Sequence, residues 1–411
     1  MNLVEDYRTV RGCTVALAAP LSVEDQMIQS MPDASSTKWH LAHTTWFFET
    51  FVLSPHVAGY RPVDERYAFL FNSYYEGVGP QLPRARRGQL SRPSLAEVHD
   101  YRRRVDAAVE RCIDRRLGGE VSSGVAATIE LGLHHEQQHQ ELLLTDVKHA
   151  LGLQPLRPAY LAAPAPPALP APTPGPARFR RFDAGVVSIG HPGGGFAFDN
   201  EGPPHRHFLE PFALAERPVT AAEYLAFMRD GGYARAELWL SDGWRRVQSE
   251  QWRAPLYWEE REGAWELYTL RGVRPVDPAE TVAHVSYFEA DAFARWAGAR
   301  LPTEEEWEHA ASSAPLAGHF ADAGRFHPGT AADGTFGDVW QWTQSAYLAY
   351  PGYRAPAGPI GEYNGKFMSG QMVLRGGSCL TPAGHIRATY RNFFPPEARW
   401  QMSGIRLARD A

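Results

Sequence analysis

At 411 residues the chain exceeds what one ordinary hydrophobic core organises, so two domains are expected. Hydrophobic residues at 44%, charged residues at 21% and a net charge of -6 describe a soluble globular protein and give no basis for nucleic acid or an anionic membrane as partner. Cys13, Cys112 and Cys379 are odd in number and far apart, which excludes a disulfide scaffold; with no leader-like start and no membrane-length apolar run, a cytoplasmic location is expected.

Residues 1–153 read as helices. The first is expected over 3–18, and the second carries Lys38-Trp39-His40-Leu41-Ala42-His43-Thr44-Thr45-Trp46-Phe47-Phe48-Glu49. A long loop over 67–93 contains Phe71-Asn72-Ser73-Tyr74-Tyr75-Glu76-Gly77, and loops of that length inside a bundle are often functional. Ser94-Leu95-Ala96-Glu97 is a capping box opening the third helix, where Val98, Tyr101, Val105, Val109 and Cys112 recur at helical spacing. The fourth contains His134-His135-Glu136-Gln137-Gln138-His139-Gln140-Glu141, and together these make a four-helix bundle. Residues 154–177, dense in Pro and Ala, are the expected linker. Residues 178–411 turn to short strands, glycines and scattered aromatics, with helices over 220–230 and 286–298 and another capped by Thr303 with Glu306; an α+β domain is expected.

His135 and His139 lie one helical turn apart on one face, and paired imidazoles can grip one metal ion. The string is also H-E-x-x-H, the metalloprotease signature in which the Glu is a general base. A metal site needs a third ligand from elsewhere. On the second helix His43 shares a face with Trp39, Trp46 and Phe47, and His40 points the same way one turn earlier. A His ringed by aromatics is usually a core residue, but a His pair on a facing apolar helix reverses that preference. The selected triad is His43, His135 and His139. No protein partner is implied by any segment.

The second half resembles the formylglycine-generating enzyme fold, related to C-type lectin folds. It does so through Arg300-Leu301-Pro302-Thr303-Glu304-Glu305-Glu306-Trp307-Glu308, Gly337-Asp338-Val339-Trp340-Gln341-Trp342-Thr343, Val373-Leu374-Arg375-Gly376-Gly377-Ser378 and Gly404-Ile405-Arg406-Leu407-Ala408. That family's copper chemistry uses two cysteines, and this half has Cys379 alone. The first half resembles the DinB-like bundle, whose members bind metal through three histidines. In this order the two modules resemble the iron-dependent sulfoxide synthases of ergothioneine biosynthesis, through the His43 and His135–His139 strings and Tyr390-Arg391-Asn392-Phe393-Phe394-Pro395-Pro396.

That resemblance implies Fe(II) held by His43, His135 and His139, O2 as co-substrate, and a C–S bond formed between a cysteine thiol and imidazole C2 of hercynine (Nα-trimethylhistidine). Ligand type alone would permit zinc, so iron is a family expectation. Some members carry a proton-donating Tyr in a Tyr-x-x-Tyr string of the second domain. Here the corresponding string is Ile360-Gly361-Glu362-Tyr363, which lacks the first Tyr, so the acid falls to Tyr75 or Tyr74, both suited by a phenol protonated at neutral pH. Gln138 and Asn392 resemble residues that hold hercynine, and the faces of Phe393 and Phe394 suit its quaternary ammonium. Branches using γ-glutamylcysteine place an acidic residue where this chain has Phe394, which points to free cysteine as donor. Arg84 and Arg87 could clamp the cysteine carboxylate. The competing expectations are γ-glutamylcysteine as donor, and a zinc-dependent DinB-type transferase or H-E-x-x-H hydrolase.

Overall fold

The computed structural model describes residues 3–117, 123–162 and 175–411. The chain divides into two compact units, Met1–Leu156 with Ala355–Tyr363, and Arg157–Arg354 with Asn364–Ala411. The segment Ala355–Tyr363, expected in the second body, therefore packs with the helices. Residues 163–174 of the expected linker lie outside the described residues.

The first unit is built on α1 (Leu3–Ala18), α2 (Thr37–Phe48), α3 (Leu95–Leu117) and α4 (Ser123–Leu153). Ser36 caps α2, its hydroxyl accepting from the Trp39 N–H at 3.3 Å. Every residue of α2 is buried, so it has no solvent face and must be the central helix. It packs against each of the other three. Its polar side chains are accordingly paired inside: Lys38 Nζ donates to the carbonyls of Leu90 and Pro93 at 2.6 and 2.8 Å, and Thr44 and Thr45 donate to those of His40 and Leu41. Gly132 lets α4 approach α2 closely. A Cβ there would meet Phe48 Cε1 at 2.5 Å and Phe47 Cε1 at 3.2 Å, one turn before His135.

α3 opens at the expected capping box, with Ser94 and Glu97 exchanging backbone-to-side-chain bonds of 2.7 and 3.3 Å. The 67–93 segment is more ordered than its sequence suggests, with a helical turn at Tyr67–Phe71 and a 3-10 turn at Arg84–Gln89. Tyr67 and Phe71 anchor it on Tyr101 of α3, with ring centroids 4.8 and 6.4 Å away. Asn72 clasps the next turn: its Oδ1 accepts from the Tyr75 N–H, and its Nδ2 donates to the carbonyls of Tyr75 and Gly79, at 3.0 to 3.1 Å.

The second unit is α+β. Helices Ala221–Arg229, Tyr287–Trp296 and Glu304–Ala311 each begin with a complete capping box. Its four-stranded sheet runs Asn392–Phe394, Met372–Arg375, Trp340–Ala346, Ser403–Gly404, antiparallel but for the last pair. The strings noted in the sequence meet in one buried network. Arg375 donates to Glu304 and Glu308 at 2.9 Å, Arg391 forks onto Glu304 at 2.8 and 2.9 Å, and Gln341 accepts from Trp307 and Arg406. Those motifs are structural. Among the described residues, no helix is long and apolar enough to cross a membrane.

Candidate metal centre

α2 presents His43 and α4 presents His135 and His139, and one ligand-capable atom from each lies within 4.8 Å of the others. His43 and His135 are buried, and His139 is no more than half-exposed. Aromatic rings hold the imidazole planes. Trp39 stacks on His43 at 4.5 Å and 11°, Trp46 stacks on the same ring at 5.6 Å and 19°, and Phe47 stacks on His135 at 4.5 Å.

The hydrogen bonding suits a cation. His43 Nδ1 donates to the Phe71 carbonyl at 2.6 Å, which leaves the lone pair on Nε2. That Nε2 lies 3.2 Å from His135 Nε2, so the two nitrogens can share a proton or a metal ion. Burial, reinforced by the neighbouring His135, pushes His43 well below its usual range; burial pulls His135 down to about 3, and burial with His135 and His43 depresses His139. All three rings are neutral near pH 7 and carry the lone pairs that metal binding requires.

Glu136 decides the reading of H-E-x-x-H. Its carboxylate turns toward α1 and α3, accepting from Arg11 at 2.8 Å, Thr14 at 2.6 Å and Arg102 in a shorter contact. Burial alone would raise its pKa, but Arg102 and Arg11 override burial and hold it at about 2. A carboxylate locked between two guanidiniums is a structural ion, not a general base. That engagement sets Glu136 apart from the free general base that the H-E-x-x-H hydrolase alternative calls for.

Tyr75 is buried, its ring 5.7 Å from that of Trp46, which itself stacks on His43, and 5.0 Å from Phe51, while Tyr74 is half-buried with its hydroxyl 3.5 Å from that of Tyr75. Burial, then Tyr74 and Tyr363, push the Tyr75 phenol well above 10. Gln138 accepts a 2.5 Å hydrogen bond from Tyr363, whose ring lies 5.7 Å from that of His135. Tyr363 was not singled out from sequence; the surviving half of a Tyr-x-x-Tyr frame was the available signal. Its segment is tied down by Glu362, which accepts from the Glu76 and Gly77 N–H groups at 3.0 and 2.7 Å.

The two loop arginines part company. Arg87 is buried, stacked 3.5 Å over Trp39 and donating to Ser35 Oγ at 3.0 Å, and burial followed by Arg84 pulls its pKa to about 9. Arg84 is exposed. Asn392, Phe393 and Phe394 belong to the second unit; there Asn392 Oδ1 accepts from the Phe393 N–H, Phe393 stacks on Tyr347 at 4.1 Å, and Phe394 meets the edge of Trp400.

The DinB superfamily pattern matches residues 6–143, and the Sulfatase-modifying factor enzyme 1-like domain matches residues 179–334 and 332–411. A hercynine oxygenase of Mycobacterium tuberculosis is 30% identical over 407 residues, covering 92% of each chain. The chain belongs to the hercynine oxygenase family. Two further hercynine oxygenases, from Mycolicibacterium thermoresistibile and Mycolicibacterium smegmatis, are each 34% identical, over 80% and 68% of this chain and 78% and 71% of their own. Membership in this oxygenase family unites the helical bundle and the formylglycine-enzyme-like fold that the sequence indicated.

Proposed function

We propose that this chain is a non-haem Fe(II) sulfoxide synthase that joins cysteine sulfur to imidazole C2 of hercynine with O2. One thiol S–H and one imidazole C2–H bond break, a C–S bond forms, one oxygen atom ends on sulfur and the other leaves as water. The observation carrying this reading is the triad of neutral imidazoles, His43, His135 and His139, within a family of hercynine oxygenases. Those three residues would hold the metal, and three neutral donors leave its charge uncompensated and positions open for substrates. Bound Fe(II) supplies acidification of the thiol and a place for O2 reduction.

The protein's own groups do the rest. Tyr363 fixes the Gln138 amide, which suits Gln138 to hold the hercynine imidazole. Tyr75, protonated throughout the neutral range, is the proton donor, with Tyr74 in line behind it. Arg87, buried without a carboxylate partner among the described ion pairs, takes the cysteine carboxylate; exposed Arg84 adds long-range attraction. In the second unit, the faces of Phe393 and Phe394 beside Asn392 suit a quaternary ammonium such as hercynine's. Anaerobic loading with Fe(II), then O2, hercynine and an equimolar mixture of cysteine and γ-glutamylcysteine, tests this by mass analysis. The cysteine-derived sulfoxide should dominate; the γ-glutamyl product would reassign the donor, and peptide cleavage with zinc would overturn the class.

A further inference from the structure

His139 and Asp146 are seven residues apart on α4, two turns on one face, and His40 of α2 sits between them. His40 Nδ1 lies 2.9 Å from His139 Nδ1, and His40 Nε2 lies 3.0 Å from Asp146 Oδ2. The same Oδ2 accepts from the Ser35 N–H at 2.8 Å. His40 and Asp146 are both buried.

These contacts favour one arrangement of hydrogens along the row. An oxygen already receiving a backbone N–H is an acceptor, so His40 Nε2 carries hydrogen and donates. In the tautomer with its hydrogen on Nε2, His40 offers a lone pair at Nδ1. The facing His139 Nδ1 must then be the donor, and the His139 lone pair falls on Nε2, the nitrogen turned from His40. His40 is thus not a fourth ligand. We infer that Asp146 and His40 form a relay that locks His139 in its Nε2-ligating tautomer and raises its basicity toward the metal, making both of them positioning residues. The three candidate ligands differ in this respect. His139 leads to a carboxylate and His43 to a neutral carbonyl, while His135 Nδ1 has no hydrogen-bond partner among the described residues.

The relay also explains sequence features that the reaction leaves unused: a second His on α2 three residues before the ligand, and an acidic residue buried in the apolar stretch after the H-E-x-x-H string. Outer partners of metal-bound histidines commonly change metal affinity 10- to 100-fold. Ser35 extends the row, since its hydroxyl accepts from Arg87, the residue assigned to the thiol substrate's carboxylate.

The inference rests on the triad reading, and the two fail separately. The full-length chain is titrated anaerobically with Co(II) against a chromophoric chelator, and the 15N-histidine spectrum of the metal-free protein reports the His139 tautomer. His40→Ala should weaken Co(II) binding roughly 10- to 100-fold and release the tautomer. Asp146→Asn should weaken binding by less, and His40→Asn, which returns an acceptor oxygen near the Nδ1 position, should recover part of the loss. Affinity within about twofold of the parent together with an unchanged His139 tautomer in His40→Ala overturns the relay. If His40→Ala fails to fold, the same outcome in Asp146→Asn and His40→Asn overturns it. A parent chain that binds no Co(II) defeats the triad reading, while the tautomer signal still judges the relay.

Discussion

Replacing Glu136 with Gln keeps the side-chain volume and removes the negative charge that Arg11 and Arg102 share. Arg11 retains Asp106 at 2.7 Å, whereas Arg102 keeps only carbonyl and hydroxyl acceptors such as Leu41 O and Thr44 Oγ1 among its described bonds. Breaking a buried pair by removing one partner costs about 3–5 kcal/mol, and the surviving Arg11–Asp106 pair places this case at the lower end, near 3. The carboxyl itself gives a matching figure. It is held at about 2 against a usual 4.5, a gap worth roughly 3 kcal/mol. The sign follows from a depressed folded pKa: the contribution is present above about pH 4.5 and is lost as pH falls toward 2. Thermal melts at pH 7 should show Tm lower by roughly 6–12 °C in Glu136→Gln. Melts across pH 2 to 4.5 should show a flatter acid limb in the variant than in the parent. A stability change under about 1 kcal/mol would refute the ion-cluster reasoning. So would intact stability combined with lost turnover, which would return Glu136 to catalysis.

His139→Ala should abolish stoichiometric iron, since two imidazoles hold the ion poorly, and full occupancy by elemental analysis would break the triad. Tyr75→Phe should lower sulfoxide formation by about 100- to 10,000-fold while thiol binding persists; an unchanged product yield would move the acid elsewhere. Phe394→Glu should shift donor preference toward γ-glutamylcysteine in the competition assay, because a carboxylate there offers that thiol's ammonium an anchor; no shift would remove Phe394 from donor selection. Gly132→Ala should cost about 1–3 kcal/mol through the clash with Phe48 and weaken metal binding by altering the α2–α4 spacing, both readable by melts and Co(II) titration.

Sequence by itself marked the candidate ligands and both modules. Periodicity placed His43, His135 and His139 on apolar helix faces, capping boxes marked helix starts at Leu95, Ala221 and Glu304, and motif order indicated both modules. Spacing reports a face and says nothing of what lies opposite it, so the rest waited on tertiary structure. H-E-x-x-H reads alike whether its Glu meets a metal or two arginines, and only the packing of α1 and α3 on α4 chose the arginines. Arg84 and Arg87 are equivalent as letters, yet stacking on Trp39 buries one and leaves the other in solvent. Tyr363 stands 225 residues from Gln138 and His40 stands 106 from Asp146, contacts that no local pattern encodes because they arise only when distant segments close on one core.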